Sequence, residues 1–161
     1  MTVDRCQTEP ESAEPSNPWA QRMLADALES QKFTRKFFVV ELDFSVKSLG
    51  ELEGQFDAIR YALRGGASSE NCQKLRRLWG AYLGEMLRRL GNGQWVSPPT
   101  TSAPDSQGIA ASETTSEVAN ALEPLVEVEQ MTYSPHQQIA DRIQEGPSRN
   151  IVAWIKQVLG E

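Results

Sequence analysis

Apolar residues between Lys74 and Leu90 keep a single period. Leu75, Leu78, Trp79, Tyr82, Leu83, Met86, Leu87 and Leu90 recur at alternating spacings of three and one. That pattern is one stripe of a 3.6-residue helix, whereas a half-buried strand would alternate every second residue. Lys74, Arg76, Arg77, Glu85, Arg88 and Arg89 fall largely off the stripe, Gly91 stands at a C-cap position, and Asn92-Gly93 reads as a turn. This helix is the expected centre of the core. Gly80 and Gly84 share one of its faces, and each gives up about 0.8–1 kcal/mol of helix propensity relative to alanine. The expected reason is close approach of another backbone within the monomer, with a dimer seam or ligand contact as the alternative.

The rest of the chain reads in order from the same rules. Asn17-Pro18 caps and opens a helix whose stripe of Trp19, Met23, Leu24, Ala27 and Leu28 fades near Ser30. Phe37 to Leu42 is rich in aromatic and β-branched residues and predicts a strand. Ser45 or Ser48 caps a second helix carrying Leu49, Leu52, Phe56, Ile59 and Leu63, ended by Gly65-Gly66. Gly50 and Gly54 in that helix mirror Gly80 and Gly84, so mutual packing of the two helices is expected. Gln94-Trp95-Val96 begins a short strand, and Leu125 to Glu129 alternates as a half-buried one. Ser134-Pro135 opens a helix with Ile139 and Ile143 inward, ending at Gly146-Pro147. Ser148 or Asn150 caps the last helix, whose stripe is Ile151, Ile155, Val158 and Leu159.

The predicted fold class is therefore α+β: a small, mainly antiparallel sheet covered by about five helices. Residues 1–16 read as a disordered acidic tail and 17–160 as a single domain, interrupted by a flexible Ser/Thr/Pro-rich linker over 97–121.

Charge and composition narrow the function classes. The chain of 161 residues carries 16 basic and 22 acidic groups, a formal net charge of −6, so nucleic acid is not an expected partner. Leu90 to Ala140 holds no Lys or Arg, so an acidic stretch follows a basic helix; two solvated faces are the plain reading, and electrostatic docking of one on the other is the sharper alternative. Cys6 and Cys72 make neither a disulfide framework nor a zinc pair, which fits a reducing, cytoplasmic setting. No signal peptide and no membrane partner are expected, since the N-terminus lacks an apolar core region and no apolar run approaches eighteen residues.

Catalytic patterns are missing too. His136, the one histidine, sits second in a short helix and reads as a surface or capping residue. No HExxH, GxSxG or phosphate-binding loop occurs, and no cofactor or metal is implied. Glu85 is the most interesting acid, although an i,i+4 pair with Arg89 accounts for it.

Leu42-Asp43-Phe44-Ser45 with Ser48-Leu49, Gly80-Ala81-Tyr82-Leu83-Gly84-Glu85 with Arg88-Arg89, and Gly93-Gln94-Trp95 together resemble a family of small bacterial proteins, a domain of unknown function. Ser134-Pro135 with Arg142 and Gly146 adds to the likeness, which covers roughly residues 37–96 and 123–160. The resemblance implies a core helix ahead of a small sheet, and the insertion at 97–121 departs from it. The leading expectation is a non-enzymatic interaction or regulatory module, monomeric, with another protein as partner. The rival is a small-molecule-binding protein or enzyme with a cleft at Tyr82, Glu85 and Arg88. A third reading is an immunity-type protein that binds a toxin through its acidic surface.

Overall fold

The computed structural model describes residues 17–64, 69–98 and 123–161. The acidic tail, Gly65-Gly66 and nearly all of the expected linker lie outside the described residues. Helix α1 (Pro18–Phe38) is followed by α2 (Val46–Glu53), α3 (Phe56–Arg64) and α4 (Ser69–Leu90). Then come β1 (Gln94–Val96), β2 (Leu125–Val128) and β3 (Met131–Tyr133), helix α5 (Pro135–Glu145), a 3₁₀ turn (Pro147–Arg149) and α6 (Ile151–Leu159). The fold is α+β, with a three-stranded antiparallel sheet ordered β1-β2-β3.

The expected central helix is the axis of the core. Every residue of α4 from Leu78 to Leu87 is buried, so the helix is enclosed on all sides rather than along one stripe. It packs on α1 along one side, on α5 along another, and on β1 and β2 near its C-terminal end. An enclosed helix satisfies its backbone internally, so the cost of full burial falls on its side chains.

The strand expected over 37–42 does not form, and α1 instead runs on through Phe38. The core stripe of α1 is Ala20, Met23, Ala27, Ser30 and Thr34, at helical spacings of three and four. Its last two members are hydroxyl residues, which hide the stripe from a hydropathy pattern. Their buried hydroxyls are satisfied: Ser30 Oγ donates to the Ala27 carbonyl at 2.6 Å, and Trp79 Nε1 donates to Thr34 Oγ1 at 2.9 Å. Past the helix, Val40, Leu42 and Phe44 do alternate inward, but the segment has no ladder partner. Side chains bond its backbone instead, Gln31 Nε2 donating to the Leu42 carbonyl at 2.6 Å.

The second expected helix is two. Ser45 is its cap, accepting from Ser48 N–H at 3.1 Å. At Gly54-Gln55 the hydrogen bonding tightens to Gln55 N–H on the Leu52 carbonyl, 2.9 Å, and the axis breaks there. Leu49, Leu52, Phe56 and Ile59 nonetheless stay buried across the break. Gly50 meets nothing within 4 Å, so the expected packing of Gly50 and Gly54 against Gly80 and Gly84 is absent.

The hairpin β2–β3 has no counterpart in the sequence reading beyond β2. Its two-residue loop is Glu129-Gln130, with φ of 50° and 68°. Two positive φ values are what a primed hairpin turn requires, and Asn-Gly or Asp-Gly is the usual way to obtain them. Here neither residue signals the turn. Asn17 joins the sheet to α1: its Oδ1 accepts from Ala20 N–H, and its Nδ2 donates to the Trp95 carbonyl at 3.0 Å.

Candidate functional site

Tyr82, Glu85 and Arg88 are neighbours on α4, and their polar groups are bound within the chain. Tyr82 is fully buried, and its hydroxyl accepts from Phe44 N–H at 2.8 Å and lies 3.0 Å from Ser48 Oγ. The Phe44 ring stacks on the Tyr82 ring with centroids 4.8 Å apart. Phe44 holds a φ of 62°, so this hydroxyl pins a strained backbone. Glu85 is also fully buried. Arg88 Nη2 reaches its Oε1 at 2.7 Å and Arg88 Nε its Oε2 at 2.9 Å, a bidentate pair, and Arg89 Nε adds 2.9 Å to Oε1. Burial works to raise the Glu85 pKa, but the hydrogen bonds from both arginines outweigh it and hold the carboxyl below its usual value. Arg89 in turn lies over the Phe44 ring at 3.9 Å. Tyr82 directly, and Glu85 through Arg89, thus close the 43–48 corner onto α4.

A second buried network ties the far side. Arg142 of α5 is 2% exposed, donating to Glu53 Oε1 at 2.7 Å and Asp57 Oδ1 at 3.1 Å. Glu53 Oε2 accepts from Ile151 N–H, so one carboxylate joins α2, α5 and the start of α6. The basic helix and the acidic stretch do meet at one described point, Arg76 Nη2 to Glu123 Oε2 at 2.7 Å.

An open polar cleft of about 360 Å³ lies where α1, α4 and the start of α5 converge. Trp19, Arg22, Met23 and Asp26 line it from α1, and Gln73, Arg76 and Arg77 from α4; His136 and Glu123-Pro124 complete it. α1 and α4 each contribute a set spaced three and four apart, the condition for one shared face. His136 is not the surface residue expected from its position. It is 2% exposed, because Gly80 lets α5 approach: a Cβ at Gly80 would fall 2.8 Å from the His136 Cα and closer still to its ring. Burial first, then the charges of Arg76 and Arg22, lower the His136 pKa to about 4, so the ring is neutral at pH 7. One ring nitrogen serves the Arg77 backbone, while Nδ1 finds no partner.

Two further groups of the same cleft are in the same condition. Asp26 Oδ2 and Arg76 Nε are buried and unpartnered. Burial raises the Asp26 pKa against the opposing charges of Arg77 and Arg22. A buried polar atom left unmade costs about 1–3 kcal/mol, and of the five such side-chain atoms among the described residues three belong to this cleft, the others being Trp95 Nε1 and Arg142 Nη1. Hydropathy did not find this site, because its members are charged residues beside apolar ones; the i, i+3, i+4 recurrence of Trp19, Arg22, Met23 and of Gln73, Arg76, Arg77 was the available signal.

Two other cavities are simpler. One of about 290 Å³ lies between Gln31, Lys32, Arg35 and Glu41–Asp43, and one of about 220 Å³ beside Cys72. Among the described residues no group of three or more His, Cys, Asp or Glu is placed to hold a metal ion, and no helix is long and apolar enough to cross a membrane. Comparison of the chain with protein-family models, with curated proteins and with solved structures finds no match.

Proposed function

We propose that this protein is a non-catalytic binding module that recognises a small polar ligand in the cleft between α1, α4 and α5. The observation that carries this reading is the convergence there of His136 Nδ1, Asp26 Oδ2 and Arg76 Nε, each buried and without a partner. The volume falls within the usual range of ligand sites, and Trp19 and Met23 supply an apolar wall beside the polar groups. A binding role is the simpler reading, since no Ser, Thr, Cys or Lys side chain is among the residues lining the cleft. The bacterial setting implied by the resemblance, the cytoplasmic one read from two cysteines that form no framework, and the monomer belong to the same proposal.

A thermal-shift screen of polar metabolites tests it. Gln73 is exposed at the cleft edge, so Gln73→Trp should fill the cleft with little effect on folding. A ligand at about 100 times its Kd should stabilise the native protein by about 2.7 kcal/mol, and the filled variant by much less. Equal shifts in both proteins would move the site elsewhere.

The exposed end of α1 favours a second, protein-binding reading. Phe37 is 59% exposed and Val39, held at a φ of 57°, is 88% exposed. Val39 in the left-handed region is the C-cap of α1 and the Phe37 ring tilts against Phe33 at 4.8 Å, yet both leave most of their apolar surface open. Lys36 lies 5.3 Å from the Phe37 ring centre, which gives the patch a basic edge suited to an acidic partner. Phe37→Ser should leave the melting temperature nearly unchanged, and a large loss would assign Phe37 to folding instead.

A further inference from the structure

Resting on the reading of the α1/α4/α5 cleft as a ligand site, we infer that its ligand is a small oxyanion bearing a hydrogen-bond donor a few atoms from its charge, such as a hydroxylated or amino-bearing carboxylate or phosphate monoester.

The charge of the cleft calls for the anion. Three guanidinium groups, Arg22, Arg76 and Arg77, face two carboxylates, Asp26 and Glu123. Arg76 Nη2 is engaged with Glu123 at 2.7 Å and Gln137 Oε1 at 3.2 Å, yet its Nε remains buried without an acceptor. Arg77 reaches Glu29 only at 3.8 Å, and among the described residues Arg22 forms no ion pair. The cleft is therefore cationic on a chain whose formal net charge is −6. Guanidinium forks match carboxylate and phosphate oxygens geometrically, so an oxyanion fits them better than a halide.

The donor follows from the cleft floor. His136 is neutral and serves the Arg77 backbone through one ring nitrogen, so Nδ1 offers a lone pair. A bare oxyanion would set its own lone pairs against that one. Asp26 Oδ2 likewise needs a hydrogen to accept while its carboxylate is ionised. A hydroxyl or amine next to the anionic head satisfies both, with the head on the arginines. The buried Arg76 Nε and the buried His136 Nδ1 thus ask for opposite hydrogen-bonding characters within one cleft of about 360 Å³.

The experiment is a titration of the whole chain with probes that separate the two requirements, read by calorimetry and by the Trp19 indole resonance in NMR spectra. L-serine and glycerol 3-phosphate carry both an oxyanion and a donor, one as carboxylate and one as phosphate. Sulfate carries only the anion and glycerol only the donors. The expected result is that L-serine or glycerol 3-phosphate binds, shifts the Trp19 indole and outcompetes sulfate and glycerol by about tenfold or more. Whichever of the two binds decides between carboxylate and phosphate. Arg22→Ala removes an exposed side chain that forms no ion pair among the described residues, so it should fold normally and bind the winning probe about tenfold more weakly. Asp26→Asn keeps the shape of the side chain while removing a carboxylate that Arg77 and Arg22 act on, so it should weaken the preference for a donor-bearing probe, and an unchanged preference overturns the donor requirement. Glycerol or sulfate binding as tightly as the combined probe overturns the ligand class and leaves the cleft reading standing. Cleft resonances that no probe moves, in wild type and variants alike, take down both.

Discussion

Gly84→Ala should destabilise this protein, although alanine is the better helix former. Gly84 lies inside α4, with the benzo edge of the Trp95 indole against its Cα, so an added Cβ would overlap Trp95 Cη2, Cζ2 and Cζ3. Trp95 has little freedom to yield. It is 2% exposed, it pairs with Val126 in the sheet, and its carbonyl is held by Asn17. Two effects oppose one another. Alanine recovers roughly 0.8–1 kcal/mol of helix propensity. Overpacking against a fixed ring costs about 1–3 kcal/mol and lies toward the upper end when the ring is pinned, leaving a net loss of about 1–2 kcal/mol. Gly50→Ala is the control. Gly50 is exposed in α2 with nothing within 4 Å, so the same substitution should stabilise by up to about 1 kcal/mol. Urea melts at two protein concentrations measure both. A Gly84→Ala midpoint at or above that of wild type, with an unchanged slope, would refute the packing argument. A midpoint that rises with concentration would place this face between two chains. Trimming the ring as Trp95→Phe should couple to Gly84→Ala by about 0.5 kcal/mol or more, because the two side chains contend for one space.

Two further outcomes follow from buried polar groups. Tyr82→Phe deletes the acceptor of the Phe44 amide and should cost about 1–3 kcal/mol in denaturant melts; a loss below about 0.5 kcal/mol would mean the 43–48 corner holds without it. Stability should also fall as pH drops from 6.5 to about 4, because the unfolded chain gains a proton on His136 that the folded chain refuses. That stabilisation is complete above pH 6.5 and amounts to roughly 3 kcal/mol at most. Glu85, whose carboxyl is held below its ordinary value of 4.5, loses its contribution only in more acidic solution. His136→Gln should flatten the window between pH 4 and 6.5, and an unchanged slope in that variant would assign the effect to another group.

The reading of α1 shows where pattern recognition stopped. Its first two turns were legible because Met23 and Ala27 are apolar. Its last two were not, because the same stripe continues as Ser30 and Thr34. A hydroxyl on a core stripe is tolerated only when a specific partner waits for it; Ser30 finds the Ala27 carbonyl one turn back, but Thr34 needs the distant Trp79 indole, which leaves no mark on the local sequence. The Phe37–Leu42 strand failed for a related reason. Strand propensity registers side chains suited to a pleated surface, but a strand exists only beside another strand.

The candidate site divides the same way. Tyr82, Glu85 and Arg88 do lie together, since i, i+3 geometry follows from the helix alone. The full burial of Tyr82 and Glu85 does not follow; the Phe44 ring stacks on Tyr82, and Arg89, bound to Glu85, lies over that same ring. His136 was visible only as a lone histidine near a helix start. Its burial and its altered titration depend on Gly80, fifty-six positions earlier, and on arginines from two other helices.

What the sequence determined by itself is what short-range physics controls. It set the central helix and its cap, the Gly80/Gly84 close-packing face, β1 and β2, the Ser134 cap and the α+β class, and it narrowed two further caps to Ser45 or Ser48 and to Ser148 or Asn150. Hydrophobic period, capping and turn chemistry act within a few residues, so they can be read without a partner. The tertiary structure alone decided which glycine meets which ring, that Glu129-Gln130 closes a hairpin without glycine, and that three helices bring unpartnered polar atoms to one cleft. Those outcomes depend on groups tens of residues apart being desolvated together, and the free energy of a buried pair or a buried orphan exists only once both sides are in place.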